Sequence, residues 1–351
     1  MREVLTELEL WSSRGDRIAL ATVTDVRRSA PRPPGAKMAV SERGEIAGSV
    51  SGGCVEGAVV EVAERVIGGA PPQLLHFGIA DADAWDVGLP CGGEIDVWVQ
   101  AYSYGDALEQ AARNGDRLAE VTLLEGARPG AKLLVGPDGG RSGSLGAPEL
   151  DDEGARLAAE LVWKEESERH GPLFIDVVHP APRLILFGAV DVTAAVCRIA
   201  RTCGWRPYVV DPRARFATRE RFPDAEDVIV AWPEEAFERL GGIDRATSIA
   251  VLTHDPKLDD AALLLALRSP ARFVGAMGSR RAQATRRERL LAAGLTDNDL
   301  ARLAAPLGLD LGAIDREETA LSIMSEIVAM RHDHDGGRLS HASGRIHEVP
   351  A

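Results

Sequence analysis

Basic side chains are in short supply in this chain. Its 40 Lys and Arg stand against 54 Asp and Glu, a formal net charge of −14. That deficit argues against a surface for nucleic acid or anionic membrane, both of which select a basic patch. Long apolar runs are missing too: none approaches the ~20 residues that a membrane span needs. The opening stretch MREVLTELELWSSRGDR is charged and amphipathic, without the basic head and apolar core of an export signal. Cysteine is rare, four in 351 residues, and the spacings of Cys54, Cys91, Cys197 and Cys203 match no zinc pattern, so no structural metal is expected. Few cysteines and no export signal predict a cytoplasmic protein, where disulfides are rare. The length predicts two domains, since single cores rarely grow past ~250–300 residues.

What is present begins with an internal repeat. Residues 35–50, GAKMAVSERGEIAGSV, align without a gap to residues 130–145, GAKLLVGPDGGRSGSL. Gly35, Ala36, Lys37, Val40, Gly44, Gly48 and Ser49 match Gly130, Ala131, Lys132, Val135, Gly139, Gly143 and Ser144. Upstream, RIALATVT from Arg17 resembles RLAEVTLL from Arg117. Each copy reads as strand, loop, strand, glycine turn, strand and helix, the helices over residues 55–66 and 152–163. The copies diverge at the loops. The first carries SAPRPPG and SGGCVEG, the second EGARPG and GAPELDDEG. The first copy's loops therefore read as extra residues serving function, because the scaffold does without them.

Within SGGCVEG, Gly52 and Gly53 permit positive φ and let a ligand approach the backbone. A helix starting near Val55 aims its free N–H groups and positive dipole end at Cys54. Such a field makes a thiol more nucleophilic and a better metal ligand, and the same amides suit an anion such as phosphate. Cys91, in GLPCGGEIDV, has similar surroundings. The alternative for either thiol is a small buried hydrophobe. Arg32, in the loop that the second copy lacks, is expected to contact an anion.

From Arg183 strands and helices alternate: RLILFGA, then the helix DVTAAVCRIARTCG, then RPYVVDPR, EDVIVAWP, TSIAVLTHD and ARFVGAMGS. This predicts a doubly wound parallel sheet. In such sheets ligands bind beyond the carboxyl ends of the strands, where Gly188, Asp211, His254, Asp255, Gly278, Ser279 and Arg280 fall. Asp211 stands where an acid binds a ribose hydroxyl. The glycine fingerprint is poor, however, because Val190 and Thr193 replace its second and third glycines. Cys197 and Cys203 read as packing residues. Ala320, Ile323, Ile327 and Met330 mark the core face of a late helix. The tail, with four of the eight histidines, reads as polar and disordered.

The ordered set SAPRPPGAKMAV, GSVSGGCVEG, PCGGEIDV, THDPKLD, GAMGSRR and APLGLDLGA…EETALSI resembles the XdhC/CoxI family over almost the whole chain. It departs from the pattern at Val190 and Asp191, where many members carry glycine and histidine. The resemblance implies a distinct N-terminal domain followed by a Rossmann-like one; with the repeat this predicts an α/β protein with an N-terminal α+β domain over residues 1–178 built from half-repeats at about 17–66 and 117–163, a Rossmann-like C-terminal domain over 183–330, and the tail at 331–351. It implies a non-catalytic accessory factor that binds molybdenum cofactor, helps its sulfuration with a cysteine desulfurase, and delivers it to an apo molybdenum hydroxylase of xanthine dehydrogenase or carbon monoxide dehydrogenase type. The expected cofactor contacts are Arg32, Lys37, Ser51, Gly52, Gly53, Cys54, Glu56 and Cys91 in the first domain, and Gly188, Asp211, His254, Asp255, Gly278, Ser279 and Arg280 in the second. Cys54 is the expected metal contact, Arg281 offers a further local cation, and self-association is an open expectation. The alternative is an NAD(P)-dependent oxidoreductase with a drifted fingerprint.

Overall fold

The computed structural model describes residues 1–28, 30–78 and 93–341, and the chain divides into two compact units, Met1–Pro180 and Ala181–Ala351. In the first unit, helix α1 (Leu5–Ser13) precedes β1 (Ile18–Arg27), β2 (Lys37–Ser41), β3 (Ile46–Gly48), α2 (Glu56–Ile67), β4 (Gln73–Phe77) and β5 (Glu94–Ala101). After α3 (Ala107–Asn114) the series recurs as β6 (Leu118–Leu123), β7 (Lys132–Val135), β8 (Arg141–Gly143), α4 (Pro148–Lys164), β9 (Glu168–His170) and β10 (Leu173–Val178). The two antiparallel sheets have corresponding orders, β3-β2-β1-β5-β4 and β8-β7-β6-β10-β9. The duplication thus reaches beyond the aligned sequence, into the strand pair that follows each helix.

Local chemistry explains the correspondence. Gly35 and Gly130 take φ of +86° and +87°, and Gly48 and Gly143 take +73° and +92°. A Cβ at Gly48 would fall 2.2 Å from the Lys37 carbonyl oxygen, and one at Gly143 2.5 Å from that of Lys132. Only glycine tolerates both the conformation and the approach. Helix α2 buries Val59, Val62, Ala63 and Val66 against sheet residues Ala19, Ala21, Ile95 and Val97. Each large side chain so buried contributes roughly 1.5–3 kcal/mol. Helix α4 starts at Pro148, four residues before the expected boundary. Proline at its first position has its φ preset and no N–H to leave unpaired.

The second unit contains β11 (Arg183–Phe187), α5 (Asp191–Thr202), β12 (Arg206–Val210), β13 (Asp227–Ile229), α6 (Pro233–Arg239) and β14 (Ser248–Val251). It continues with α7 (Pro256–Arg268), β15 (Phe273–Ala276), α8 (Arg280–Ala292), α9 (Asp297–Leu300), β16 (Leu303–Ala304) and α10 (Arg316–Arg331). The sheet is parallel throughout, ordered β13-β12-β11-β14-β15-β16. That is the doubly wound order of dinucleotide-binding folds, reversing between β11 and β14. The run Leu184–Phe187 shows why helices cover both faces. Leu184 and Leu186 pack with Val196 of α5 and Ile323 of α10, whereas Ile185 and Phe187 pack with Leu263 of α7 and Leu290 of α8. Alternation at period two sends successive side chains to opposite layers.

Two packing expectations need correction. Met330 is 46% exposed while Ala320, Ile323 and Ile327 are buried, so the apolar stripe of α10 ends one turn early. Cys197 is buried, and desolvation pushes its thiol up to about 12, but Cys203 lies exposed past the end of α5. Of the tail, residues 342–351 lie outside the described residues.

Candidate functional site

The Cys54 loop is held by its own side chains. Gly52 and Gly53 adopt φ of +76° and +113°, and a Cβ at Gly53 would meet nothing within 4 Å. Cys54 is half-buried and packs against the core of the first sheet through part of its surface. The amides expected to receive an anion are already engaged. Glu56 accepts from the amides of Ser51 (2.9 Å), Gly53 (2.9 Å) and Val55 (3.2 Å), and from the hydroxyls of Ser49 (2.6 Å) and Ser51 (2.5 Å). Cys54 N–H donates to Ser51 Oγ at 2.9 Å, and Gly52 N–H to Ser49 Oγ at 2.8 Å. Burial pushes the Glu56 carboxyl up, but these bonds outweigh it and hold the group at about 2. A carboxylate borne by the chain thus takes the place foreseen for a bound anion.

The neighbouring loop supplies a donor instead. Pro31 lies against Gly52, 3.8 Å from where that residue's Cβ would stand. Arg32, next in sequence, pairs with Glu3, yet its Nε is buried with no hydrogen-bond partner. Lys37 is not available at the surface. Its side chain is 1% exposed, and its ammonium donates to Asp176 on β10 and to Thr22 at 3.1 Å. Lys37 belongs to a different feature, a cavity of about 380 Å³ between the two sheets. Its repeat counterpart Lys132 lines the same cavity and pairs with Glu120 (2.8 Å) and Asp106 (3.2 Å). Thr22 and Thr122, at matching register positions beside the two lysines, face it as well, with Trp98 and Phe174 forming an aromatic wall. Burial opposes ionisation of Asp176, but the Lys37 ammonium outweighs it and holds the carboxyl low. At Glu120 burial wins and pushes the carboxyl up. Sequence reasoning missed Lys132, Glu120 and Asp176. The lysine was visible in the aligned repeat, but only the closure of the two sheets brings the carboxylates to it.

In the second unit the topology places Gly188, Asp211, His254, Asp255, Gly278, Ser279 and Arg280 at the carboxyl edge of the sheet. Gly188 (φ +115°) sits at the strand-order reversal, where a Cβ would lie 2.3 Å from Thr253 Cγ2. Asp211 is fully buried and fully engaged. It accepts from Ala189 N–H (2.8 Å) and from Arg213 at 2.8 and 2.6 Å. Both of its oxygens are thereby taken where a ribose hydroxyl would otherwise be met. His254 and Ser279 are exposed, and Asp255 and Ser279 cap α7 and α8 through their side chains. Arg280 and Arg281 are exposed, and neither pairs with a carboxylate among the described residues. Cys91 lies outside the described residues. Among them, no group of three or more His, Cys, Asp or Glu could hold a metal ion, so a metal reaching Cys54 would have to bring most of its own ligands.

Comparison with known proteins agrees with this architecture. A family model described as the XdhC Rossmann domain matches residues 184–327, and one described as the XdhC and CoxI family matches residues 11–78. The chain is 26% identical over 333 residues to a protein of Bacillus subtilis (strain 168) named as a probable xanthine dehydrogenase subunit, covering 93% of this chain and 97% of that one. It is 26% identical over 326 residues to "Molybdenum cofactor insertion chaperone PaoD" of Escherichia coli (strain K12), covering 92% of this chain and 85% of that one. The crystal structure of a protein named a xanthine dehydrogenase, from Bacillus halodurans, matches with a TM-score of 0.67 at 23% identity, over 96% of this chain and 97% of that one. At that identity the likeness concerns the fold.

Proposed function

The chain belongs to the XdhC and CoxI family, and from that premise we propose that it binds molybdenum cofactor as cargo and passes it to an apo molybdenum hydroxylase of the xanthine dehydrogenase or carbon monoxide dehydrogenase type. The relative named as an insertion chaperone, similar along most of both chains, supports the role. The observation that carries the site is Cys54, held in an open glycine loop against which Pro31 packs, the next residue, Arg32, having a buried Nε without a partner. The cargo is a pterin dithiolene that bears a phosphate and supplies its own sulfur ligands to molybdenum. Cys54 would offer a further soft ligand. Arg32 would meet the phosphate, since its Nε is a donor on the adjoining loop that no described residue answers. Cargo bound there would be open to sulfuration by a cysteine desulfurase.

The test loads wild type and Cys54→Ala with cofactor and measures bound molybdenum per chain, transfer to an apo-hydroxylase, and melting temperature. Cys54→Ala is expected to lose at least tenfold in retention and transfer, at a stability cost below ~1 kcal/mol. A variant that keeps its cofactor but melts much earlier would make the thiol a core residue and sink the assignment. Titration with NADH is the control for an oxidoreductase, and no tight binding is expected, given that Ala189 N–H and Arg213 occupy Asp211.

A further inference from the structure

The amino ends of the parallel strands carry a second constellation, at the opposite edge of the sheet from Gly188, His254 and Ser279. Arg183 and Arg206 are register partners on β11 and β12, so their side chains leave the same face. Like charges in directly paired positions repel. Tyr208 lies on that face two residues further along β12, paired with Asp227 of β13. Together with Arg239 and Leu240 at the end of α6, these residues line a cavity of about 290 Å³.

The fold compensates one arginine of the pair and leaves the other. Arg183 donates to the carbonyls of Leu240 (2.8 Å) and Gly242 (2.7 Å) and to Thr247 Oγ1 (2.9 Å). Arg206 donates no side-chain hydrogen bond to any described residue, and its Nε is buried without a partner. Its guanidinium carbon lies 5.9 Å from the centre of the Tyr208 ring. The carboxylate in the cavity does not answer it. Asp227 accepts from the amide of its neighbour Val228 at 2.8 Å and makes no ion pair with Arg206. Arg239 is held by Glu235 on its own helix at 2.5 Å. A buried donor on a charged group with no acceptor is costly, and the Arg206 side chain that carries it lines a space large enough for more than water.

We propose that this cavity binds a tetrahedral oxyanion, with Arg206 as its principal donor and Tyr208 as a wall. The anion is either free phosphate or the phosphate of a small phosphoester. Because the cavity and the strands' carboxyl ends lie at opposite edges of the sheet, the proposal stands apart from the cofactor-carrier reading.

Melting temperature is followed for wild type, Arg206→Met and Arg206→Lys against inorganic phosphate and ribose 5-phosphate, with chloride at equal ionic strength as the control. A ligand that binds only the folded state raises the melting temperature in a saturable way. Wild type should gain about 3–5 °C, and Arg206→Met should lose most of that gain. Without ligand, Arg206→Met should melt no lower than wild type, because it removes an unanswered charge beside Arg183. Arg206→Lys should retain part of the response. A larger shift with ribose 5-phosphate assigns a phosphoester, and a larger shift with inorganic phosphate assigns the free anion. The proposal is overturned by a wild type that responds to phosphate no more than to chloride, by an Arg206→Met that keeps the full response, or by an Arg206→Met that melts several degrees lower unliganded.

Discussion

Ser49 and Ser144 are repeat counterparts, and each donates to a carboxylate seven residues on, Glu56 in the first copy and Asp151 in the second. Between serine and acid the copies part company without a change in length. In the second, Pro148 opens α4, and the positions that precede Asp151 are already helical. In the first, Gly52 and Gly53 at positive φ hold the corresponding positions out of the helix, and α2 begins only at Glu56. Cys54 therefore stands where the second copy has Glu149 in its first helical turn. The loop is not an insertion, contrary to what the sequence suggests; it is made by withholding one turn of helix. The residues that really are extra lie upstream, in the Arg32 loop, where the first copy runs from Arg17 to Gly35 and the second only from Arg117 to Gly130. A withheld turn must satisfy its own amides, and the longer Glu56 side chain does so.

The matched lysines break the symmetry most sharply. Lys37 is 1% exposed against a buried Asp176, whereas the side chain of Lys132 is 30% exposed between Asp106 and Glu120. Removing one partner of a buried pair leaves a stranded charge and costs about 3–5 kcal/mol. Lys37→Met should therefore lower stability by about that amount in urea unfolding, and Lys132→Met by only about 1–2 kcal/mol, since water reaches Asp106 and burial already favours the protonated, neutral form of Glu120. Equal losses would mean that the two halves of the cavity are equally buried and that the lysines are energetically equivalent.

How much of this was legible follows from the range of each interaction. The repeat, the glycine turns and the parallel strands of the second unit were read from short-range pattern, because hairpin glycines and buried strands are dictated locally. The engagement of Glu56 was harder to see. The residue was picked out with its motif, but the stretch from Ser49 to Glu56 says nothing of which way the carboxylate folds, and its turning back onto Ser51 and Gly53 removed the anion role given to those amides. Asp211 was placed correctly at its strand end, but its capture by Arg213 depends on a side chain only two residues away adopting one rotamer. The Lys37–Asp176 pair joins residues far apart in sequence across two sheets, and no local signal carries it.

The second comparison concerns the carboxylates. Glu56 gathers five donors from four residues, and Asp151 gathers two, from the Ser144 hydroxyl (2.8 Å) and the Leu145 amide (2.6 Å). At pH 7, Glu56→Gln should cost about 2 kcal/mol and Asp151→Asn about 1 kcal/mol. The pH dependence sharpens the test. The Glu56 carboxyl is depressed from 4.5 to about 2 in the folded state. Its contribution is therefore complete above the unfolded value and disappears as pH falls from about 4.5 towards 2. The stability gap between wild type and Glu56→Gln, measured by urea unfolding, should narrow across that window. A gap that stays constant down to pH 2 would show that the bonds do not depend on the charge.

The smallest effect concerns what keeps the turn unwound. Gly53 has φ of +113° with open space where a Cβ would go, so Gly53→Ala meets no clash and pays only in backbone strain. That strain is roughly 1–2 kcal/mol, because an L-residue rarely holds such a conformation. In the second copy Pro148→Gly should cost about 0.4–1 kcal/mol through the freedom it returns to the unfolded chain. Both substitutions act on the same boundary from opposite sides: one presses the withheld turn towards helix, the other loosens a turn already formed. If the glycines are what hold Cys54 out, Gly53→Ala should destabilise slightly and change the rate at which Cys54 reacts with a thiol reagent. A Gly53→Ala protein more stable than wild type, with its helix starting a turn earlier by amide exchange, would mean that the loop adopts helix as soon as alanine permits. The withheld turn would then rest on the glycines alone, with no share borne by the Glu56 network. An unchanged melting temperature together with unchanged thiol reactivity would instead assign the boundary to Glu56 and leave the glycines only their openness.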